Sequence, residues 1–496
     1  MNERTCPGCQ QLLPPGSDEC GNCAERSAAR SDGGDIRMSR RPRRLIRYWL
    51  LGISLALTVL ASALYYLTLN TASRWNGVTG PVDWLRFALN SGSTPGPPAI
   101  SGTLALGADS DHGVPVDFGT VDIGGHVTTA VSVTVLTAGV LGSISVVTQG
   151  VPDLDFNNAG SGTCTVGASY PANSTCTVNV SFSPKGVGTR LGAVVLQDAS
   201  GEAMASRHIP MATGYLMGTG NGTWRLQSEA PPLRIGTGWV LPWGFDMDAA
   251  GNIFVANYPT RPYDAGGSVI KESPAPGGYI QTTIGSGFVG PSGIAVDGAG
   301  NVYISDASLQ VIFRETPYKD GYVQSQIPTP GIGWPTAVAV DGGGNVYLTD
   351  APKNRILKES LFAGTYRQTS IPTSVPYPLG LAVDPAGNIY VANGDLVKET
   401  PNGETYLESK ITSGYEGWNG WGAELTIDAV GNLLIADTKR NQIVMLPLAG
   451  SSFGKPILLL SVSRPMAVAS AVSGDLFYTT GAPGAAGFWR APLNVH

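Results

Sequence analysis

From residue 209 to residue 495 the sequence contains no histidine and no cysteine. That stretch lacks both the imidazole general base and the soft metal ligands that many enzymes use, so chemistry there would fall to carboxylates. Carboxylates can do acid-base work only where burial raises their pKa. Charge is scarce throughout, at 14% of 496 residues, which argues against long polar surface helices. The net charge of -6 gives no long-range attraction for phosphate backbones, and nucleic acid is not an expected partner. What the chain has in abundance is glycine (66) and proline (36), the punctuation of short strands and tight turns. A mainly β protein of roughly three folded units is expected.

Six cysteines fall into two groups. Cys6, Cys9, Cys20 and Cys23 read C-x2-C-x10-C-x2-C within residues 1–27, two knuckles able to complete a tetrahedral thiolate site for structural Zn. So short a segment has no core of its own, and zinc would supply about 10 to 16 kcal/mol of folding free energy. It resembles a small zinc ribbon. The resemblance implies an adaptor for protein or nucleic acid; Glu3, Asp18, Glu19 and Glu25 against Arg4 argue against nucleic acid, which leaves a cytoplasmic protein as the expected partner. Incidental redox pairs are the alternative.

Residues 48–69 form an apolar run without a charge, long enough to span roughly 30 Å of hydrocarbon as one transmembrane helix. A cleaved signal would have a shorter apolar core. Arg37, Arg40, Arg41, Arg43, Arg44 and Arg47, in the basic linker 28–47, place the N-terminus in the cytoplasm by the positive-inside rule. The expectation is a single-pass protein of a bacterial cytoplasmic membrane, with the domains after residue 70 outside the cytoplasm. A linker at 70–113, including SGSTPGPP, would hold them off the bilayer.

Residues 114–217 show short alternating runs such as TAVSVTVL, CTVNVSF and GAVVLQD between turn residues, the pattern of two packed antiparallel sheets. VDFGTVDIGG and CTVNVSFSP resemble the immunoglobulin-like ASH/Hydin-type domains of bacterial surface proteins. Cys164 and Cys176, outside the membrane on this reading, could close a disulfide.

The second half repeats one unit six times, as in PWGFDMDAAGNIFVAN, PSGIAVDGAGNVYISD and PTAVAVDGGGNVYLTD. The turn residues Asn252, Asn301, Asn345, Asn388, Asn432 and Asp475 are 49, 44, 43, 44 and 43 residues apart, room for four short strands per unit. The sixth unit ends after three strands, and TWRLQS at 223–228 is expected to supply its fourth and close the ring. The units resemble NHL repeats over residues 222–494, which implies a six-bladed β-propeller used more often for interaction than for chemistry.

Three sets of residues are candidates for function. Trp239, Trp243, Tyr258, Trp334, Tyr377, Trp418 and Trp421 cluster in loops of one propeller face, where flat side chains could hold an envelope protein or a glycan, or could merely pack the rim. Asp306, Asp350 and Asp437 end second strands near the channel mouth and could gather a metal for a hydrolase or lyase, as in propeller lactonases; local turn bonding is the plainer reading. The repeated Lys271-Glu272, Arg314-Glu315, Lys358-Glu359 and Lys398-Glu399 pairs suggest ion pairs along or between blades. The leading expectation is a membrane-anchored binding protein, not an enzyme, with no cofactor in the propeller. A sensor coupling the propeller to the ribbon is the remaining alternative.

Overall fold

Alternation in the strand Thr175–Phe182 buries Cys176, Val178, Val180 and Phe182 and leaves the intervening residues at the surface. The computed structural model to which it belongs describes residues 107–108, 114–199, 210–224, 232–259, 266–362, 364–415, 424–471, 473–482 and 484–491. The zinc-ribbon cysteines, the basic linker and the apolar run at 48–69 lie outside these residues. Among the described residues no helix is long and apolar enough to cross a membrane. All of them belong to one compact unit, Ser101–His496.

Residues 114–221 form a β-sandwich. One sheet holds Val127–Thr134, Thr175–Phe182 and Phe156–Asn158; the other holds Val116–Asp122, Ala212–Asn221, Gly188–Asp198 and Gly139–Thr148. Their inner faces share a core in which the rings of Phe156 and Phe182 stack 4.7 Å apart and Phe118 meets Phe156 edge-on at 5.4 Å. Cys164 and Cys176 border that core, joined by a disulfide with Cα atoms 4.9 Å apart. The sheets are not wholly antiparallel as expected, because Val116–Asp122 runs parallel to Ala212–Asn221. These strands are the first and last of the sheet, and no hairpin forces them to oppose each other.

The repeats form six sheets, and their innermost strands touch in order around a ring, the sixth meeting the first. Apolar clusters straddle neighbouring blades: Phe254 and Val269 of the first pack against Ile294 and Val302 of the second. In the fourth blade the second and third strands run on as one, Ile389–Asn402. The ring closes where Leu233–Ile235 pairs with Gly487–Ala491, so the closing strand is not TWRLQS but a piece a few residues later. Ile235 explains that register, since it pairs with Phe488 and is buried with it and Trp239 in one cluster at 2% exposure, whereas Leu233 stays 49% exposed.

Ile235→Ala is therefore expected to cost about 2 to 5 kcal/mol in urea unfolding, and Leu233→Ala little. Equal losses would place the closure elsewhere.

Candidate functional site

Five of the six blades turn from their first to their second strand through the same clamp. In the third blade, Asp341 Oδ1 accepts the backbone N–H groups of Gly343 and Asn345 at 2.9 and 3.0 Å, and Oδ2 accepts Asn345 Nδ2 at 2.8 Å and the Tyr347 hydroxyl at 3.0 Å. The intervening Gly344 has φ +76°, a conformation other residues adopt only with strain. Asp248, Asp297, Asp384 and Asp428 make the same bonds to their turns. These turns form one face of the ring.

The second-strand acids lie at the opposite ends of the strands and do not converge. Asp306 accepts N–H groups from Val289, Gly290, Ser308 and Leu309 at 2.8 to 3.1 Å. Asp350 binds Gly333 N at 3.0 Å and Arg355 Nε at 2.8 Å, and Asp437 binds Arg440 Nη1 and Gln442 Nε2, each at 3.0 Å. Each carboxylate latches loops of its own blade. The described residues contain no group of three His, Cys, Asp or Glu side chains able to hold a metal.

Burial corrects the aromatic-face reading for three of its members. Trp239, Trp243 and Tyr258 are 8%, 2% and 1% exposed and offer no surface to a large ligand. Trp243 and Tyr258 pack at a ring separation of 5.0 Å in a cluster with Met466 of the sixth blade, and the half-buried Trp334 of the third blade leans against it. Trp334 meets Tyr377 at 5.8 Å. Trp418 and Trp421 lie outside the described residues.

The Lys-Glu pairs are corrected too. Neighbours in a strand point to opposite faces. Lys271 reaches the rings of Phe254 and Tyr322, Lys358 that of Tyr347 and Lys398 that of Tyr390, at 5.3 to 5.7 Å. Glu272, Glu315, Glu359 and Glu399 go the other way and are each 1% exposed. Both carboxyl oxygens of Glu272 lack a hydrogen-bond partner, and Glu359 accepts Gln368 Nε2 at 2.8 Å. Burial pushes the Glu315 and Glu399 carboxyls up to about 7.

The sandwich docks on the turn face. The Tyr215 hydroxyl donates to Asp297 Oδ2 at 2.8 Å, and Gln149 Nε2 donates to the Met247 carbonyl at 3.5 Å. Backbone approaches are close enough that a Cβ on Gly298 would collide with Gly192, and one on Gly188 with Ala429. Contacts to the first, second and fifth blades carry the segment 187–191 over the channel mouth and leave a 470 Å³ cavity beneath it. Thr189, Arg190 and Leu191 form its roof, and Asp246, Thr426 and Ala469 belong to its walls.

Two carboxyls here break the repeat. Asp246 stands where the other blades have Ala295, Ala339, Ala382, Thr426 and Ala469; Glu424 stands where they have Gly244, Gly293, Ala337, Gly380 and Ala467. Asp246 accepts the N–H groups of Met247 and Val296 at 2.8 Å each, yet burial still raises its pKa to about 6. Glu424 is two residues before Thr426 and near enough to Asp246 to feel its charge. Burial first, and the charge of Asp246 second, push Glu424 up to about 8. Sequence reading missed both, although aligning the repeats column by column marks them.

No protein-family model matches the chain, and no curated protein matches it by sequence. Among solved structures it is similar to a streptogramin B lyase at 12% identity and TM-score 0.39, over 62% of this chain and 90% of that one. A virginiamycin B lyase from Staphylococcus aureus is similar at 13% identity and TM-score 0.38, over 53% and 88%. A chain of a nidogen/laminin complex gives 22% and 0.35, over 43% and 82%. At these scores the propeller rests on its own sheet topology, and no activity carries over.

Two outcomes follow from the burial. Glu315 and Glu399 are protonated in both states below pH 4.5; above it the unfolded chain ionises while the folded one keeps its protons. Stability is therefore expected to fall as pH rises from 4.5 to about 7 and then level, with a shallower fall in Glu315→Gln/Glu399→Gln. Urea midpoints across that range check it. Asp306→Ala would strand buried N–H groups at about 1 to 3 kcal/mol each, and should lower the thermal midpoint in EDTA and in calcium alike; a loss confined to calcium would assign a metal.

Proposed function

We propose that this is a single-pass membrane protein that holds its sandwich and propeller outside the cytoplasm and binds a small ligand in the roofed mouth of the channel without transforming it. The observation that carries this reading is the 470 Å³ cavity between the segment 187–191 and the turn face, with Asp246 in its wall. The carboxylates at the strand ends and in the turns are already occupied by backbone donors, which leaves little free acid-base machinery elsewhere. The basic linker and the apolar run at 48–69 support the anchor and its orientation. Cys6, Cys9, Cys20 and Cys23 support a structural zinc site facing the cytoplasm. An envelope protein or glycan held at the half-buried Trp334 and Tyr377 remains a secondary partner.

A second reading has one observation in its favour: Glu424 and Asp246 hold their protons with different strength, as an acid and a base of a hydrolase or lyase must.

Native mass spectrometry of the full chain purified from its membrane tests both. A co-purifying small molecule is expected, absent from Ala469→Trp, whose side chain fills the cavity; its intact recovery after prolonged incubation supports binding alone. Bare protein in both samples would sink the cavity reading, and products lost in Glu424→Gln would establish the enzyme.

A further inference from the structure

The fifth blade departs from the repeat along its outer edge. Glu272, Glu315 and Glu359 stand opposite the first residue of their second strands, and the fifth blade has Leu446 there. On the outermost strands Thr283, Gln326, Ser370 and Lys410 face Ile270, Phe313, Leu357 and Val397; in the fifth blade Leu458 faces Val444. Directly opposed residues share a face, and so do alternate residues of one strand, which puts Leu446, Val444 and Leu458 on one side of the blade. Leu446 is buried, but Leu458 is 56% exposed, and an aliphatic side chain left in water where the other blades are polar contributes nothing to the ring.

That side packs with the fourth blade. Between it and the fourth blade's outermost strand, Thr405–Tyr415, lies a hollow of 390 Å³ whose lining includes Ile411, Thr412, Leu446, Phe453, Lys455 and Pro456. Phe453 meets Tyr390 of the fourth blade edge-on at 5.8 Å, which holds its hairpin against that blade. The equivalent seam of the second blade is closed, because Glu315 Oε1 lies so near Gly285 that a Cβ there would collide with it. Gly285 follows Ile284 as Thr412 follows Ile411, so the glutamate fills the space that the shorter Leu446 leaves open. The hollow shares no lining residue with the roofed cavity.

Ile411, Leu446, Phe453 and Pro456 present hydrocarbon to the hollow; its polar side chains are Thr412 and Lys455, and no carboxylate is among the lining residues. Lys455 is exposed and forms no salt bridge among the described residues, whereas Lys353, Lys410, Arg440 and Arg490 each find a carboxylate. We propose that this seam binds a medium-chain fatty acid, its carboxylate on the Lys455 ammonium and the Thr412 hydroxyl and its chain along Leu446, Phe453 and Leu458. The ammonium and the hydroxyl are the donors a carboxylate accepts from. An organic cation would meet a like charge with no acid in the lining to offset it, and a neutral chain of equal length would leave the ammonium unpaired.

Calorimetry on the full chain in neutral-lipid nanodiscs, corrected for empty discs, with octanoate, octanol and octyltrimethylammonium as probes, decides it. Octanoate should bind about threefold tighter than octanol, the size of one solvent-exposed ion pair, and the cation should bind weakest. Lys455→Gln should remove the octanoate preference while keeping octanol binding, and Leu458→Ser should weaken both by the same factor; both positions are exposed, so the fold survives either change. Equal binding of octanoate and octanol, tighter binding of the cation, a preference that survives Lys455→Gln, unchanged affinities in Leu458→Ser, or no binding of any probe would each overturn the assignment.

Discussion

The carboxylate clamp at the inner hairpins is the constraint on which the rest depends. A single aspartate satisfies two backbone donors and one asparagine side chain at the point where the chain must reverse within four residues, as Asp341 does. Five blades have it. The sixth copy has Ala471 in place of the aspartate and closes through backbone alone, Ala471 N to the Asp475 carbonyl at 2.8 Å and Gly474 N to the Ala471 carbonyl at 2.9 Å. The clamp fixes where each innermost strand ends, and the six ends together make the flat turn face that receives the sandwich.

Docking of the sandwich extends one clamp. Asp297 Oδ2 already accepts Asn301 Nδ2 and the Tyr303 hydroxyl, and Tyr215 from the sandwich adds a third donor on the same oxygen. Tyr303 in turn meets the Tyr366 hydroxyl at 3.1 Å, so a buried polar network runs from the sandwich into the second and third blades. Around it Val147, Ala193 and Tyr215 pack with Leu361. A donor placed on an existing acceptor costs less than burying a new pair, and it sets the sandwich at one angle over the channel. The roof follows from that angle.

Much of this was legible in the sequence, and the misses have physical causes. Six Gly-Asn or Gly-Asp turns, 43 to 49 residues apart, announce six blades because the reversal needs those residues. The closing strand was misplaced because TWRLQS has the better strand composition, while pairing is decided by Ile235, whose burial no local pattern reveals. The aromatic loops looked like a binding face because composition cannot tell an exposed tryptophan from one sealed at 2% exposure, such as Trp243. The Lys-Glu pairs were misread in a way that strand geometry could have prevented, since adjacent residues cannot share a face. Asp246 was hidden by its neighbour Asp248: in FDMDAAGN the second aspartate explains the turn, and the first looks like more of the same.

What separates Asp246 and Glu424 from the other acids is therefore the absence of an architectural reason for them. Alanine or glycine fills these positions in most of the other blades and closes the ring equally well. A carboxyl enclosed without a donor is destabilising, by desolvation that its own proton relieves only in part. Asp246 recovers some of this through Val296 N, which ties the first blade to the second. Burial likewise raises the Glu424 carboxyl, and the charge of Asp246 adds to that rise. A repeat that turns nearly all of its other acids into fold makes such an exception conspicuous, and the roof above the exception limits what can reach it.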